Sequence, residues 1–287
     1  MTRDRAADLK RAFVIGHPIS HSRSPALHSH WLARHRISGR YEAINIAPDD
    51  LAQFIADLRK NGYVGGNVTL PHKETVAGLV DEQDDSAIQI GAVNTLWFDD
   101  DRLIGGNTDG FGFVANLDDQ APNWDEAGTQ ATALILGAGG AARAVAVALA
   151  QRRIGRIAIA NRTVERAEAI CNHCADLFPA TTFQSSPWQD RTELLAQTGI
   201  LVNTTSLGMA GQATLDLSLD RLHPQTVVND LVYNPLETNL LAGARARGNR
   251  IVDGLGMLLH QAAPGFERWF GVKPVVDAAL RNAVLNA

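Results

Sequence analysis

The stretch Ala131-Thr-Ala-Leu-Ile-Leu-Gly-Ala-Gly-Gly-Ala-Ala142 decides how the rest of the chain is interpreted. Residues 131–136 carry few polar side chains and predict a buried parallel strand, and a glycine turn follows at once. The small residues at 141–150 then predict a helix that packs close to this strand. A strand, a glycine turn and a helix in this order are typical of a dinucleotide-binding unit, in which the helix N-terminus faces a pyrophosphate.

Three residues of the turn fit the fingerprint G-x-G-x-x-G/A. Gly137 makes the tight turn, Gly139 lets the backbone approach a pyrophosphate, and Ala142 keeps helix and strand close together. The sequence therefore predicts a bound dinucleotide.

The next predicted strand, 156–160, indicates which dinucleotide is bound. In the NAD pattern an acidic side chain about 20 residues past the glycines binds the ribose hydroxyls. Here the strand ends in Asn161-Arg-Thr163, and Arg166 follows one helical turn later. An arginine at this strand end pairs with a 2′-phosphate, so the sequence favours NADP(H) over NAD. The alternative is that Arg162 and Arg166 are solvated charges at the start of a helix.

The composition excludes several other classes of protein. With 45% hydrophobic and 20% charged residues and a net charge of −5, the chain fits a globular protein without a nucleic-acid-binding surface. No apolar run approaches the ~20 residues of a membrane helix. Residues 1–10 lack the apolar core of a secretory signal, so we expect a cytoplasmic protein. Cys171 and Cys174 lie on a helix predicted at 165–177, where we expect them to be structural residues. No metal site is expected.

Strands and helices alternate along the chain, which predicts an α/β fold. We expect an N-terminal, mostly parallel α/β substrate domain, 1–110 with a C-terminal helical segment at about 256–287, and a Rossmann-type NADP-binding domain, 111–255, with a cleft between them. The predicted strands are 12–15, 41–46, 65–71 and a hairpin of 92–98 with 102–105 in the first domain, and 131–136, 156–160, 181–184, 199–203, 226–231 and 250–252 in the second. In the first domain the sequence predicts a helix at 26–35, with Ser24 as its N-cap, a helix at 48–61 and a helix that starts at 72–74.

Two residues are candidates for proton transfer. Reduction of a carbonyl by hydride needs a group that gives a proton to the developing alkoxide. Lys73 follows a predicted strand end, and Asp109 lies in a Gly-rich loop before the second domain. A lysine oriented by a carboxylate suits this role. Taken alone, however, each also fits a simpler role, Lys73 as a solvated charge and Asp109 as a turn residue.

Several blocks of sequence together resemble the shikimate dehydrogenase family, in order from about residue 12 to 270. The blocks are Val14-Ile-Gly-His-Pro-Ile-Ser-His-Ser-Arg-Ser-Pro25, Gly66-Asn-Val-Thr-Leu-Pro-His-Lys73, Gly91-Ala-Val-Asn-Thr95, Gly106-Asn-Thr-Asp-Gly110, Gly137-Ala-Gly-Gly140, Asn161-Arg-Thr163, Asn203-Thr-Thr-Ser206 and Asp253-Gly-Leu-Gly-Met257 with Gln261. The resemblance implies a reversible, NADPH-dependent reduction of 3-dehydroshikimate to shikimate, a step of aromatic amino acid biosynthesis.

The resemblance also assigns roles to individual positions. Lys73 and Asp109 match the catalytic pair. The residues matching substrate ligands are Ser20 and Ser22 for the carboxylate, Asn67, Thr69, Asn94, Gln261 and Asp109 for the ring hydroxyls, and Tyr233 near the substrate and nicotinamide. The residues matching the cofactor site are Gly137, Ala138, Gly139, Gly140, Ala141, Asn161, Arg162, Thr163, Arg166, Thr204, Thr205, Ser206, Leu231, Gly254 and Met257. Tyr233 also fits a packing role, and His17, His21, His28 and His72 receive no catalytic role.

The resemblance implies a small-molecule substrate as the partner, with no nucleic acid and no membrane. The protein itself is expected to be a monomer or a homodimer. Three alternatives stay open. The first is a quinate/shikimate dehydrogenase with relaxed substrate or NAD use, and the second is a non-catalytic NADPH-binding sensor on the same scaffold. The third is a methylenetetrahydrofolate dehydrogenase-like enzyme, against which the serine loop and the Asn94 and Gln261 blocks argue.

Overall fold

The computed structural model describes residues 9–287, so most of the N-terminal segment considered for a secretory signal lies outside the described residues. The chain divides into two compact units. Unit 1 comprises the chain up to Thr108 together with Gln261–Ala287, and unit 2 comprises Asp109–His260. Each unit contains its own six-stranded sheet with helices, which confirms the predicted α/β class. Within residues 9–287 no helix combines the length and the apolar character needed to cross a membrane.

Between residues 9 and 287, twelve strands and eleven α-helices form these units. The strands are β1 (Lys10–Gly16), β2 (Gly39–Asn45), β3 (Tyr63–Val68), β4 (Glu82–Gln83), β5 (Thr95–Asp99), β6 (Arg102–Gly106), β7 (Thr132–Leu136), β8 (Arg156–Asn161), β9 (Thr182–Pro187), β10 (Ile200–Asn203), β11 (Val227–Asp230) and β12 (Arg250–Val252). The helices are α1 (Ser24–His35), α2 (Leu51–Ala56), α3 (Lys73–Ala77), α4 (Asp85–Ile90), α5 (Asp109–Gln120), α6 (Gly140–Gln151), α7 (Val164–Leu177), α8 (Arg191–Leu194), α9 (Asn239–Ala246), α10 (Leu255–Phe270) and α11 (Ala278–Leu285).

The sheet of unit 1 is mixed, in the order β2-β1-β3-β5-β6-β4. Strand β1 pairs in parallel with β2 and β3, whereas β5 is antiparallel to both β3 and β6, as the predicted hairpin requires. The carboxyl ends of β1, β3 and β6 and the amino end of β5 therefore meet at one edge of the sheet. At this edge Asn67 lies opposite Thr95, and Thr95 lies opposite Gly106. We call it the polar edge.

The C-terminal half of α10 packs on this sheet through Trp269. Its indole N–H donates to the Leu96 carbonyl at 2.7 Å, and the ring lies over Gly65. A Cβ on Gly65 would lie 2.2 Å from the Leu96 oxygen and 2.4 Å from the indole nitrogen. Any larger residue at Gly65 would push the helix off the sheet, since closely packed interiors leave no room for an added carbon.

The sheet of unit 2 is parallel throughout, in the order β12-β11-β10-β7-β8-β9. All its predicted strands are confirmed within a few residues. Strands β8 and β9 follow on one side of β7, and β10, β11 and β12 follow on the other side. The strand order therefore reverses between β7 and β10. In doubly wound sheets such a switch point is where the carboxyl ends of the strands leave a crevice for a ligand.

Two predicted helices were wrong in detail. Ser24 is not an N-cap but the first residue of α1, because the Ser22 hydroxyl accepts its backbone N–H at 3.3 Å and Arg23 becomes the N-cap. The helix predicted over 48–61 is regular only in α2. The chain turns after α2 and passes through Gly62, whose φ of +74° is incompatible with a continuing helix, so that it can enter β3.

Candidate active site

The polar edge of unit 1 is built around two buried asparagines. The Asn67 amide donates to the Asn94 carbonyl and to the Thr95 hydroxyl, both at 3.2 Å, and its oxygen accepts the Tyr41 hydroxyl at 2.7 Å. Burial raises the pKa of Tyr41 well above its usual value, so the phenol remains a hydrogen-bond donor. Neutral groups held in this way suit the hydroxyls of a small polar molecule.

The same network continues from Asn94 to Gln261. The Asn94 side-chain oxygen accepts the Thr95 hydroxyl at 2.7 Å and the Thr108 N–H at 2.9 Å. The Thr108 hydroxyl lies 3.4 Å from Gln261 Oε1. Three residues that the sequence analysis matched to substrate ligands, Asn67, Asn94 and Gln261, are thus brought into one hydrogen-bonded chain. Thr95 and Thr108, which the sequence analysis missed, connect them, and Tyr41, also missed, bonds the Asn67 end.

The serine loop and Thr69 lie at the same edge, after β1 and β3. Ser20 is exposed and Ser22 is half-buried in the loop between β1 and α1, and the Ser22 N–H donates to Ile19 at 3.0 Å. The Thr69 N–H donates to Ile15 at 2.8 Å, and its methyl group lies over Gly16, where a Cβ would approach it to 2.6 Å.

Lys73 is half-buried at the first position of α3, and its neighbours fix its backbone. Its carbonyl accepts the Val93 N–H at 2.9 Å, which ties the helix start to the residue before Asn94. The buried His72 ring bonds the Ile46 carbonyl at 2.8 Å, and the His72 N–H donates to Thr69 at 3.0 Å. His72 therefore holds the turn from which Lys73 projects.

Asp109 and Tyr233 belong to unit 2. Asp109 is buried at the first position of α5, directly after Thr108. Tyr233 is half-buried in the loop that follows β11. The remaining predicted substrate residues are in unit 1, so this set is divided between the units.

The glycine turn lies at the switch point of the unit 2 sheet. Gly137 has a φ of +103°, and a Cβ on it would lie 2.8 Å from the Thr204 hydroxyl and 2.9 Å from the Thr205 methyl. The Thr204 hydroxyl donates to the Leu136 carbonyl at 2.7 Å, and the Thr205 hydroxyl donates to Asn203 at 2.7 Å. The Thr204 hydroxyl therefore holds the loop after β10 against the glycine turn, and the Thr205 hydroxyl ties that loop to the end of β10.

The space in front of α6 fits a dinucleotide pyrophosphate. An added Cβ on Gly139 or Gly140 would meet no atom of residues 9–287 within 4 Å, so the backbone there is open to an incoming group. The N-terminus of α6 has no side-chain cap and no acidic residue in its first turn. Its backbone N–H groups and the positive end of its dipole therefore remain available for an anion. Ala138 and Ala141 complete this segment as half-buried residues.

The end of β8 carries the residues predicted to recognise a 2′-phosphate. The Asn161 amide donates to the Thr163 carbonyl at 2.8 Å, which closes the turn into α7. Arg162 and Arg166 are exposed, and neither forms an ion pair with any residue between 9 and 287. Two unpaired guanidinium groups beside a strand end suit a phosphate ligand.

Gly254 brings the loop after β12 into contact with the loop after β11. An added Cβ would lie 2.3 Å from the Leu231 carbonyl oxygen and 2.8 Å from that of Val232, so only glycine permits this approach. Met257 follows in the first turn of α10 and is buried, and Ser206 is exposed in the loop after β10.

A buried hub that the sequence analysis missed holds these loops together. Asp230 is fully buried and accepts hydrogen bonds from Asn203 at 2.9 Å, the Val232 N–H at 3.0 Å and the Thr238 hydroxyl at 2.7 Å. Burial raises the pKa of Asp230, although the three donors oppose it. The signal in the sequence was a polar residue at the end of each of two neighbouring strands, Asn203 in β10 and Asp230 in β11.

Three family models match the chain. They describe a shikimate dehydrogenase substrate binding domain at residues 14–96, a shikimate / quinate 5-dehydrogenase at 121–209 and a shikimate 5'-dehydrogenase C-terminal domain at 254–282. The shikimate dehydrogenase (NADP(+)) of Mesorhizobium japonicum is 56% identical over 276 residues, which cover 96% of each chain.

Two solved structures extend this similarity to the fold. A shikimate dehydrogenase in complex with NADP+ is 36% identical with a TM-score of 0.88, covering 98% of this chain and 96% of its own. The quinate dehydrogenase of Corynebacterium glutamicum in complex with NAD is 29% identical with a TM-score of 0.90, covering 98% of this chain and 100% of its own. By family models and by identity over nearly the whole chain, the protein belongs to the shikimate dehydrogenase family.

Proposed function

We propose that the chain catalyses the reversible, NADPH-dependent reduction of 3-dehydroshikimate to shikimate, a step of aromatic amino acid biosynthesis. The observation that carries this proposal is the hydrogen-bonded chain from Asn67 through Asn94 to Gln261 at the polar edge. A cyclic polyhydroxy acid requires several neutral donors and acceptors at fixed positions, and this network supplies them.

The residues proposed to bind substrate form two groups, one for the carboxylate of the substrate and one for its ring hydroxyls. Ser20 and Ser22 bind the carboxylate through their hydroxyls, and Thr69, with the asparagines and Gln261, binds ring hydroxyls. Tyr233 borders the substrate and the nicotinamide. Support for these roles comes from motif position in the family and, in unit 1, from the shared sheet edge.

Lys73 and Asp109 form the acid–base pair. When bound, NADPH supplies the hydride that the carbonyl carbon accepts. The Lys73 ammonium gives its proton to the carbonyl oxygen, which becomes the hydroxyl of shikimate, and Asp109 orients the ammonium. In the reverse direction neutral Lys73 takes the hydroxyl proton. The bond from the Val93 N–H to the Lys73 carbonyl supports this role because it fixes where the side chain starts.

The cofactor is held by backbone and side-chain groups of unit 2. The glycine turn and the first N–H groups of α6 would hold the pyrophosphate, and Arg162 and Arg166 would pair with the 2′-phosphate. The other cofactor contacts are made by Ala138, Ala141, Asn161, Thr163, Thr204, Thr205, Ser206, Leu231, Gly254 and Met257. The fit of this site rests on the open backbone at Gly139 and Gly140.

Initial rates with shikimate or quinate, each with NADP+ or NAD+, test the proposal. The absorbance of the reduced cofactor is followed in all four combinations. We expect rapid turnover with shikimate and NADP+ and much slower turnover in the other three. Comparable rates with quinate or with NAD+ would instead identify a dual-substrate enzyme, which the similarity to a quinate dehydrogenase makes the second candidate.

A non-catalytic sensor is separated from both enzymes by a binding measurement. NADPH fluorescence titration that shows binding, without turnover in any combination, would reject the catalytic proposal. We propose that the enzyme acts in the cytoplasm as a monomer or homodimer on a diffusible substrate. Light scattering coupled to size-exclusion chromatography decides between the two assembly states.

A further inference from the structure

Helix α1 carries an imidazole whose polarity the fold does not use. His28 is fully buried, and neither ring nitrogen makes a hydrogen bond of normal length and direction to any residue between 9 and 287. Buried polar atoms are nearly always paired, so an unpaired one indicates a role beyond packing. A phenylalanine would fill this position without leaving unpaired nitrogens.

The surroundings of His28 keep its ring neutral. The ring stacks on Tyr41, with centroids 3.8 Å apart and planes inclined by 17°, and lies nearly parallel to Phe266 at 5.9 Å. Trp31 contacts it edge-on at 5.7 Å. Burial lowers the pKa of His28 to about 3, and the side chain of the neighbouring Asn67 opposes this shift only in part. A neutral imidazole has one N–H donor and one acceptor nitrogen.

Two neighbours of this ring, Tyr41 and Asn67, belong to the hydrogen-bonded network of the polar edge. The Tyr41 hydroxyl donates to the Asn67 oxygen at 2.7 Å and uses one of its two lone pairs. The Asn67 amide nitrogen makes two bonds of 3.2 Å, at the long end of the usual range. Asn67 can therefore redirect an N–H to a ligand, provided that its oxygen is held firmly on the other side.

We propose that His28 is a positioning residue for the substrate. Its neutral ring stacks on Tyr41, and in the substrate complex its N–H donates to the second lone pair of the Asn67 oxygen. With Tyr41 and His28 both on that oxygen, the Asn67 amide nitrogen is aimed at a ring hydroxyl of the substrate. This inference rests on the proposed function and adds His28 to the residues that determine substrate affinity.

The kinetic test compares two substitutions at His28, one that keeps an aromatic ring and one that keeps an N–H donor. H28F keeps a stacking ring but lacks the N–H, so we expect the KM for shikimate to rise about five- to tenfold. The kcat and the KM for NADP+ should stay within about twofold, because the lost contact binds ground state and transition state alike. H28Q restores an N–H donor and should recover most of the lost affinity.

His35 offers a matched control on the same helix. It is half-buried, its Nε2 has no partner in the described chain, and its ring also approaches Phe266, at 6.3 Å. H35F should leave the KM for shikimate unchanged. A purely structural His28 would instead lower the melting temperature in H28F and H28Q alike without moving the KM for shikimate, and that result would overturn the proposal.

A spectroscopic test avoids dependence on the variants folding well. In the wild-type enzyme labelled with 15N-histidine, the His28 ring signals are those that disappear in H28Q. Adding shikimate should shift them, and adding NADPH alone should not. If the chemical shifts of the His28 ring stayed the same after shikimate was added, the proposed role of His28 would be rejected. Wild-type turnover of shikimate is measured first, because its absence rejects the proposed function, whereas turnover with an unchanged KM in H28F rejects only this inference.

Discussion

The side-chain oxygen of Asn94 accepts the backbone N–H of Thr108 at 2.9 Å, and Thr108 is the residue directly before Asp109. This hydrogen bond therefore connects Asn94, which is proposed to bind substrate, to the residue that precedes the proposed catalytic Asp109. Because the Thr95 hydroxyl donates to the same oxygen, Asn94 holds two strand ends at once.

Replacing Asn94 by Ala should therefore weaken both stability and catalysis. N94A leaves the Thr95 hydroxyl and the Thr108 N–H without their acceptor, which should lower the free energy of unfolding by about 1–3 kcal/mol. We also expect a higher KM for shikimate and a lower kcat. Urea unfolding and steady-state kinetics measure these effects. N45A, at an exposed position ending β2, is the control and should behave as wild type.

Lys73 provides the sharpest test of proton transfer. K73M removes the proton donor and should lower kcat by about 10²- to 10⁴-fold, the usual contribution of a general acid. NADPH binding, measured by fluorescence, should remain near normal because Lys73 is in unit 1. K60M removes an exposed lysine and should leave both unchanged. Retention of nearly full turnover in K73M would rule out the general-acid role.

A substitution at Gly137 tests whether the cofactor turn needs glycine, and a second substitution at Gly248 measures the backbone strain alone. G137A adds a Cβ at a φ of +103° and pushes it against Thr204, so we expect lower stability, by about 1–3 kcal/mol, and a higher KM for NADPH. G248A carries a similar backbone cost at a φ of +83° with open space around it. It should lose stability but keep the KM for NADPH. An equal KM in both variants would contradict the assignment of the turn.

Arg162 should determine the preference between the two dinucleotides. R162Q removes a charged partner of the 2′-phosphate, so the KM for NADP+ should rise about 10- to 100-fold while that for NAD+ changes little. R156Q, at the opposite end of β8, is the matched control and should affect neither. If R162Q raised both KM values equally, the phosphate role would be refuted.

Asp230 should produce a pH dependence of stability. Its folded pKa is raised by burial above the ordinary 3.8, so the folded state binds more protons than the unfolded state just above that pH. Stability from this group is therefore complete below pH 3.8 and is lost as the pH rises through the folded pKa. Urea unfolding of wild type and D230N across this range should show wild type losing stability relative to D230N as the pH rises. A constant difference would show that Asp230 titrates normally.

Much of the fold could be predicted because it depends on local pattern. The strands of unit 2 were found from short apolar runs between turn residues, and the fingerprint at Gly137 placed the cofactor turn after the correct strand. The helix predicted over 48–61 failed, since the turn through Gly62 is required by the path of the chain into β3 rather than by the pattern of the helix.

The partners of the site residues could not be predicted in the same way. Asn67 and Thr95 are opposite one another only because β5 runs antiparallel to β3 in one particular register. Likewise, the hub at Asp230 exists because β10 and β11 are neighbours, and His28 is buried because α1 and the end of α10 cover the same aromatic cluster.

By itself the sequence determined the α/β class, the dinucleotide turn, the preference for a phosphorylated cofactor and the residue types of the site, because each depends on residues close together along the chain. Only the tertiary structure decided which hydroxyls and amides hold one another and which imidazole is buried without a partner. Hydrogen bonds and burial depend on distances between residues far apart in sequence, and those distances are determined by strand order, register and helix packing.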